Sequence, residues 1–263
     1  MPGLIKVVVA GGSGALGRRV CDDLAGRGHE VVVLTRRPSP GPHRQVGWDG
    51  VDPGDWCREL EGSVVVNLAG ALVDRRPTPA AVALLTSSRV QPTLAIAAAA
   101  RAVGRLPVLV QASTAAIYGD AGEAPLDESS PVAQGPPQMA GVATAWERAG
   151  AQVPTDRTVV LRTSIVLDRD TPALDRLAGV VQGLGGPIAG GRQWFSWIHV
   201  EDWLAVVRAS LGLHEPVWPG PALDGVVLAT APHPVRNAEL MKTFRHPLLG
   251  PALQDLIPGR QRR

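Results

Sequence analysis

The chain has 263 residues, enough for one large domain or for a nucleotide-binding core with a smaller lobe. Its 45% hydrophobic content excludes a disordered chain, and 26 basic against 24 acidic residues leave a net charge of +2, no footprint for nucleic acid. Only Cys21 and Cys57 are available for a disulfide or metal scaffold, strand-like sequence begins at Leu4 without room for a signal peptide, and no apolar run approaches a membrane span, so a soluble cytoplasmic α/β protein without metal, nucleic-acid or membrane partner is predicted.

The first half alternates β-branched runs with helix-length segments. Ile5–Val9 leads through a glycine turn into a helical pattern reaching Leu24. Glu30–Leu34, Ser63–Val66, Leu106–Val110 and Thr158–Leu161 read as further strands, with helices over residues 80–103 and 138–151 between them. Continuous apolar runs suit strands buried on both faces, and their alternation with helices means repeated βαβ units. The fold class is therefore α/β, a Rossmann doubly wound parallel sheet over residues 1–167. Residues 168–263 mix a small C-terminal substrate lobe with returning Rossmann elements at about 195–232. There Gly183–Gly191 reads as a loop, Val226–Leu228 as a strand among proline-rich stretches at 215–222 and 231–235, and Gly259–Arg263 as a frayed basic tail.

Gly11-Gly12-Ser13-Gly14-Ala15-Leu16-Gly17 follows the first strand and opens the first helix, with glycines spaced GxxGxxG. A tight turn, close approach of backbone to a pyrophosphate and a helix N-terminus aimed at the anion all require this pattern, so it predicts dinucleotide binding. At the end of the second strand an NAD-preferring site carries an acid for the ribose hydroxyls. This chain has Thr35-Arg36-Arg37 instead. A guanidinium pairs with a 2′-phosphate and no carboxylate repels it, which selects NADPH.

These residues resemble the extended short-chain dehydrogenase/reductases, and more narrowly the atypical branch of NAD-dependent epimerase family proteins. The resemblance runs from Ile5 to about Glu239. Besides the glycine loop and Thr35-Arg36 it rests on Trp48-Asp49, Asn67-Leu68-Ala69-Gly70, Ser88-Arg89, Ser113–Gly119, Arg162-Thr163-Ser164, Leu184–Ile188 and Gly191–His199. It implies cofactor contacts from Thr35, Arg36, Leu68, Ala69, Gly70 and Arg89. It also puts the carbonyl-polarising hydroxyl at Ser113 or Thr114, and turns Tyr118, Gln193, Trp194, Trp197 and His199 toward a small-molecule substrate.

The family's Tyr-x-x-x-Lys proton pair belongs near residues 138–143, where the chain reads Gln138-Met139-Ala140-Gly141-Val142-Ala143. Neither member is there. Lysine occurs only at Lys6 and Lys242 and tyrosine only at Tyr118, whose fourth neighbour is Gly122. Chemistry that must abstract a hydroxyl proton loses its usual base, whereas reduction needs hydride, a hydrogen-bond donor and a proton from elsewhere. The expected activity is reduction of a carbonyl on a bulky aromatic polyketide, angucyclinone-like, whose own neighbouring phenol assists. Two alternatives stand beside it: a sugar-nucleotide epimerase or dehydratase, and a non-catalytic NADP(H)-binding regulator. Trp194, Phe195 and Trp197 form either a stacking wall for a flat ligand or ordinary core packing. His199 reads as structural, Glu201 and Asp202 as acids at a helix start, and Glu147 as a solvated helix position. His214, His233 and His246 lack metal spacing.

Overall fold

The computed structural model describes residues 3–73, 76–169, 191–213 and 220–236. The expected loop at 183–190, the stretch at 215–219, His214, Lys242, His246 and the basic tail lie outside them.

In chain order the main elements are β1 (Lys6–Ala10), α1 (Ala15–Gly26), β2 (Glu30–Thr35), β3 (Arg44–Gly47), β4 (Val64–Asn67), α2 (Pro79–Val103), β5 (Leu106–Thr114), α3 (Val142–Gly150) and β6 (Thr155–Thr163). After these come β7 (Ile165–Leu167), β8 (Trp194–Phe195), β9 (Trp197–His199), α4 (Val200–Leu211), β10 (Gly225–Ala229) and β11 (Val235–Arg236). Seven strands form one sheet in the order β10-β6-β5-β4-β1-β2-β3. The pairings from β3 through β6 are parallel, with Val8 opposite both Val32 and Val65. Val7, Val8 and Val9 are all fully buried, as two-sided covering by helices demands. The strand order reverses between β1 and β4, which opens the doubly wound crevice at their C-terminal ends.

Two of these strands extend beyond their apolar runs. β5 continues to Thr114 past the buried Gln111 and Ser113, and β6 begins at Thr155 because its half-buried first residues pair with the start of β5. β3 has no β-branched run and no counterpart in the sequence reading; it is the sheet's edge. The expected helix at 138–151 starts as a π-turn over Pro137–Gly141 before α3 takes over. Thr78 caps α2 by accepting from the Ala81 N–H at 3.2 Å, with Pro79 in the first turn where a missing N–H costs nothing.

The middle of the sheet holds a closed polar network. Asn67 Nδ2 donates to Thr93 Oγ1 at 2.8 Å and to Gln111 Oε1 at 2.9 Å, while its Oδ1 accepts from the Ala69 N–H. Thr93 also accepts from Trp146 Nε1 and donates to the Arg89 carbonyl. Every donor of the Asn67 amide and the Thr93 hydroxyl is engaged, so the network fixes the loop after β4 without an unsatisfied group.

The chain divides into two compact units: Met1–Thr163 with Leu204–Leu228, and Ser164–Trp203 with Ala229–Arg263. Among the described residues of the second unit, β7 pairs in parallel with β9 and β8 antiparallel with β11. No helix among the described residues is long and apolar enough to cross a membrane.

Candidate functional site

The glycine loop is built by close contacts that no side chain would allow. Gly11 has φ +81°, and a Cβ there would lie 2.8 Å from the Leu68 carbonyl. A Cβ on Gly17 would lie 2.2 Å from the Gly11 carbonyl oxygen, so only glycine lets α1 pack onto the loop it springs from. The Gly14 N–H closes the turn on Gly11 O at 3.0 Å, and the exposed Ser13 offers its carbonyl to Arg18. Gly14 is the N-cap of α1 and supplies no side-chain acceptor, and Ala15 and Leu16 begin the helix in a first turn without acids. The helix N–H groups and their positive dipole end thus face an uncapped cradle. It fits the pyrophosphate of a dinucleotide.

Thr35 is buried at the end of β2, its Oγ1 accepting from the Arg37 N–H and its carbonyl from the Trp48 N–H. Arg36 and Arg37 are exposed and have no ion-pair partner among the described residues. On the other side of β1, the Leu68 N–H donates to Ala10 O at 2.9 Å, which fastens the loop after β4 to the end of the central strand. Ala69 is buried and Gly70 exposed. Ser88 and Arg89 clamp this loop from α2. The Ala71 N–H donates to Ser88 Oγ, and Arg89 Nη2 donates to Ala71 O at 3.0 Å. A Cβ on Gly70 would lie 2.9 Å from Arg89 Cζ. Arg89 Nη1 reaches Leu85 O and its guanidinium stacks 5.1 Å from the Trp146 ring centroid, while burial draws its pKa below the ordinary value. Two of its five N–H donors hold backbone and the others meet no protein acceptor among the described residues, so its main visible role is to shape the loop.

The structure separates the two hydroxyls expected at the end of β5. Adjacent strand residues point to opposite faces. Ser113 Oγ turns inward and donates to Glu147 Oε1 at 2.5 Å. Thr114 is half-buried; its Oγ1 accepts from the Ala116 N–H at 3.2 Å, which leaves its own O–H to donate.

Glu147 corrects the sequence reading. It is not a solvated helix position: its side chain is 17% exposed and forms a bidentate pair with Arg162, both contacts at 2.9 Å. Arg162 Nη1 also donates to the Tyr118 hydroxyl at 2.9 Å, with the guanidinium 5.1 Å from that ring's centroid. The Glu147 hydrogen bond, opposed by burial and helped by Tyr118, raises the Arg162 pKa further above its ordinary value, so the cation is permanent. Tyr118 is 5% exposed and packs with Ile117 and Ala143. Ser113, Glu147, Arg162 and Tyr118 therefore form one buried chain. The signal for it was a lone arginine ending the apolar run of β6, a charge that burial requires to be paired.

In the second unit, Gln193 is exposed and Trp194 is 45% exposed, with Arg236 stacked 3.8 Å from the Trp194 centroid. Trp197 and His199 are half-buried on β9, and His199 Nδ1 accepts from the Glu201 N–H at 3.2 Å. Glu201 and Asp202 do occupy the first turn of α4. A groove of about 610 Å³ runs beside β3, lined by Arg44, Asp49, Trp56 and Glu59 among others, and none of the expected site residues borders it. No three His, Cys, Asp or Glu side chains among the described residues are placed to share a metal ion.

The strand order, the glycine cradle at the switch point and the hydroxyl-bearing end of β5 define a dinucleotide-binding Rossmann protein of the short-chain dehydrogenase type. Residues 7–140 match the profile of the NAD dependent epimerase/dehydratase family, and the chain belongs to that family, whose chemistry is of the oxidoreductase type. It is 32% identical over 259 residues to the chloroplastic epimerase family protein SDR39U1 homolog of Arabidopsis thaliana, covering 94% of this chain and 72% of the relative. The human epimerase family protein SDR39U1 is 30% identical, covering 98% and 88%. The crystal structure of human SDR39U1 (isoform2) with NADPH superposes with a TM-score of 0.75 at 30% identity, over 89% of this chain and 77% of that one.

Proposed function

We propose that the chain is an NADPH-dependent carbonyl reductase acting on a bulky, flat aromatic ketone of polyketide type, angucyclinone-like, as in the ketoreductase step of simocyclinone biosynthesis. The loop Gly11–Gly17 holds the pyrophosphate, Thr35, Arg36 and Arg37 take the 2′-phosphate, and Leu68, Ala69, Gly70 and Arg89 border the dinucleotide. Arg36 and Arg37, exposed and without an ion-pair partner among the described residues, support the choice of NADPH, and the human relative was crystallised with it.

The observation that carries the reading is the Thr114 hydroxyl, which has an O–H left to donate, in a fold whose helix offers Gln138 and Val142 near the positions of a tyrosine–lysine pair. When bound, NADPH supplies hydride to the carbonyl carbon. Thr114 donates to the carbonyl oxygen as negative charge gathers on it. The proton that completes the alcohol comes from a phenol beside the ketone on the substrate, which water then reprotonates.

A non-catalytic NADP(H)-binding role draws support from the Ser113 hydroxyl, already engaged by Glu147. One experiment decides. Purified protein with NADPH and a panel of polycyclic hydroxy-ketones is expected to consume NADPH only when ketone is present. No consumption with any ketone, together with tight NADPH binding, overturns the reductase in favour of the regulator.

A further inference from the structure

We propose that Trp197 and His199 form a two-donor anchor for a carbonyl oxygen of an uncharged ligand. Both residues lie on β9 two positions apart, so their side chains share one face of the strand, while Ile198 between them is buried on the other. His199 Nδ1 accepts the Glu201 N–H, so that nitrogen carries no hydrogen. In the neutral ring the hydrogen is then on Nε2, making it a donor. Trp197 Nε1 can only donate. Both atoms, Trp197 Nε1 and His199 Nε2, are buried and have no hydrogen-bond partner among the described residues.

Two buried N–H donors without an acceptor on one strand face are rare, since more than about nine in ten buried polar groups are paired. The backbone of the same residue shows the contrast: the Trp197 carbonyl accepts from the Ala231 N–H at 2.6 Å. What the two rings require is an oxygen with two lone pairs. Both donors are neutral, and of the described arginines of this unit Arg236 lies against Trp194 while Arg169 and Arg192 are exposed. An anion buried against two neutral donors would lack compensation, which favours a carbonyl over a carboxylate or phosphate. The inference rests on the reading that the chain handles a ketone, and it assigns only the acceptor that these two donors take, a carbonyl oxygen other than the one that meets Thr114.

The test uses the indole N–H signals of the ¹⁵N-labelled full chain, which has seven tryptophans. The Trp197 signal is assigned with Trp197→Phe, or by triple-resonance connection to Ile198 if that variant does not fold. α-Tetralone is expected to move the Trp197 signal downfield in a saturable way, while acetate and inorganic phosphate at equal concentration do not. Trp197→Phe is further expected to raise the KM for a ketone about tenfold, the cost of one hydrogen bond, without changing NADPH affinity. An unmoved signal, or one moved only by the anions, overturns the anchor. Because the signal is read without turnover, a saturable shift in a protein that never consumes NADPH would sink the reductase and keep the anchor. Ketone-dependent turnover with an unmoved signal would do the reverse.

Discussion

Replacing Glu147 with alanine tests the buried chain of Ser113, Glu147, Arg162 and Tyr118. The side chains of the ion pair are only 8% and 17% exposed, so the change strands the Arg162 charge where water reaches it poorly. Breaking such a pair from one side costs about 3–5 kcal/mol, and the partial exposure of Glu147 places it near the lower end. The Ser113 hydroxyl loses its acceptor as well, about 1 kcal/mol more. A loss of about 4 kcal/mol is a large part of the roughly 5–15 kcal/mol that holds a protein of this kind folded. With a urea slope of about 2–3 kcal/mol per molar, the midpoint falls by about 1.3–2 M. The control is the double variant Glu147→Leu, Arg162→Leu, which removes both charges and replaces them with apolar volume. It is expected to recover at least half of the loss, because the penalty of the single variant is mostly an unpaired cation. Urea titration followed by far-UV circular dichroism measures all three proteins. A midpoint shift below about 0.3 M for Glu147→Ala, or a double variant no less damaged than Glu147→Ala, would refute the argument that this pair is buried and coupled.

The remaining expectations follow from single groups. Arg36→Ala is expected to weaken NADPH binding by roughly one to two powers of ten and to leave NADH unchanged, read by fluorescence titration with both nucleotides. Thr114→Val is expected to lower kcat/KM for a ketone about tenfold by removing the carbonyl donor, while Ser113→Ala acts mainly on the urea midpoint; the reverse pattern would exchange their roles. Burial pushes the Cys21 thiol up to about 12 from 9.0. A raised thiol stays neutral in the folded protein while the unfolded chain ionises, so its stabilisation is complete below pH 9 and is lost as pH rises toward 12. At pH 10.5 the loss is about 2 kcal/mol. Urea midpoints at pH 8 and 10.5 are expected to fall less in Cys21→Ala than in the native chain.

Much of the fold was legible because its determinants are local. Three consecutive valines in β1 and in β2 announce strands covered on both faces, and the interval between them can hold only a helix. The cofactor loop was legible for a related reason: Gly11 and Gly17 record backbone contacts as the absence of a side chain, and absence is visible in one dimension. β3 was not, since Arg44–Gly47 owes its extended form to pairing with β2 rather than to its own residues. Glu147 was misread because an acid on an amphipathic helix has a solvated reading until the fold shows what it faces. Its partner lies fifteen residues on, in the next strand, and its hydroxyl donor thirty-four residues back. Arg89 stood out by its place after Ser88, but its clamp on the Ala71 backbone depends on a loop path that spacing does not encode.

The two hydroxyls at the end of β5 show how strand geometry restricts the chemistry open to this site. Alternation turns Ser113 and Thr114 to opposite faces, and Glu147 takes the hydrogen of the inner one. A carboxylate that already accepts from both Ser113 and Arg162 is a poor base, because an approaching proton must compete with a permanent cation. Among the described residues the outer hydroxyl has no comparable acceptor behind it; its oxygen accepts from a backbone N–H, which makes its own hydrogen the group it can offer. A site arranged in this way donates to oxygen more readily than it removes protons. Oxidation of an alcohol, or epimerisation through a ketone, begins with removal of a proton and meets that deficit at its first step. Reduction meets it only at the end, when the alkoxide must be neutralised, and there a substrate phenol or water serves. For the reductase proposed above, the direction of catalysis would follow from which of two neighbouring hydroxyls the ion pair holds.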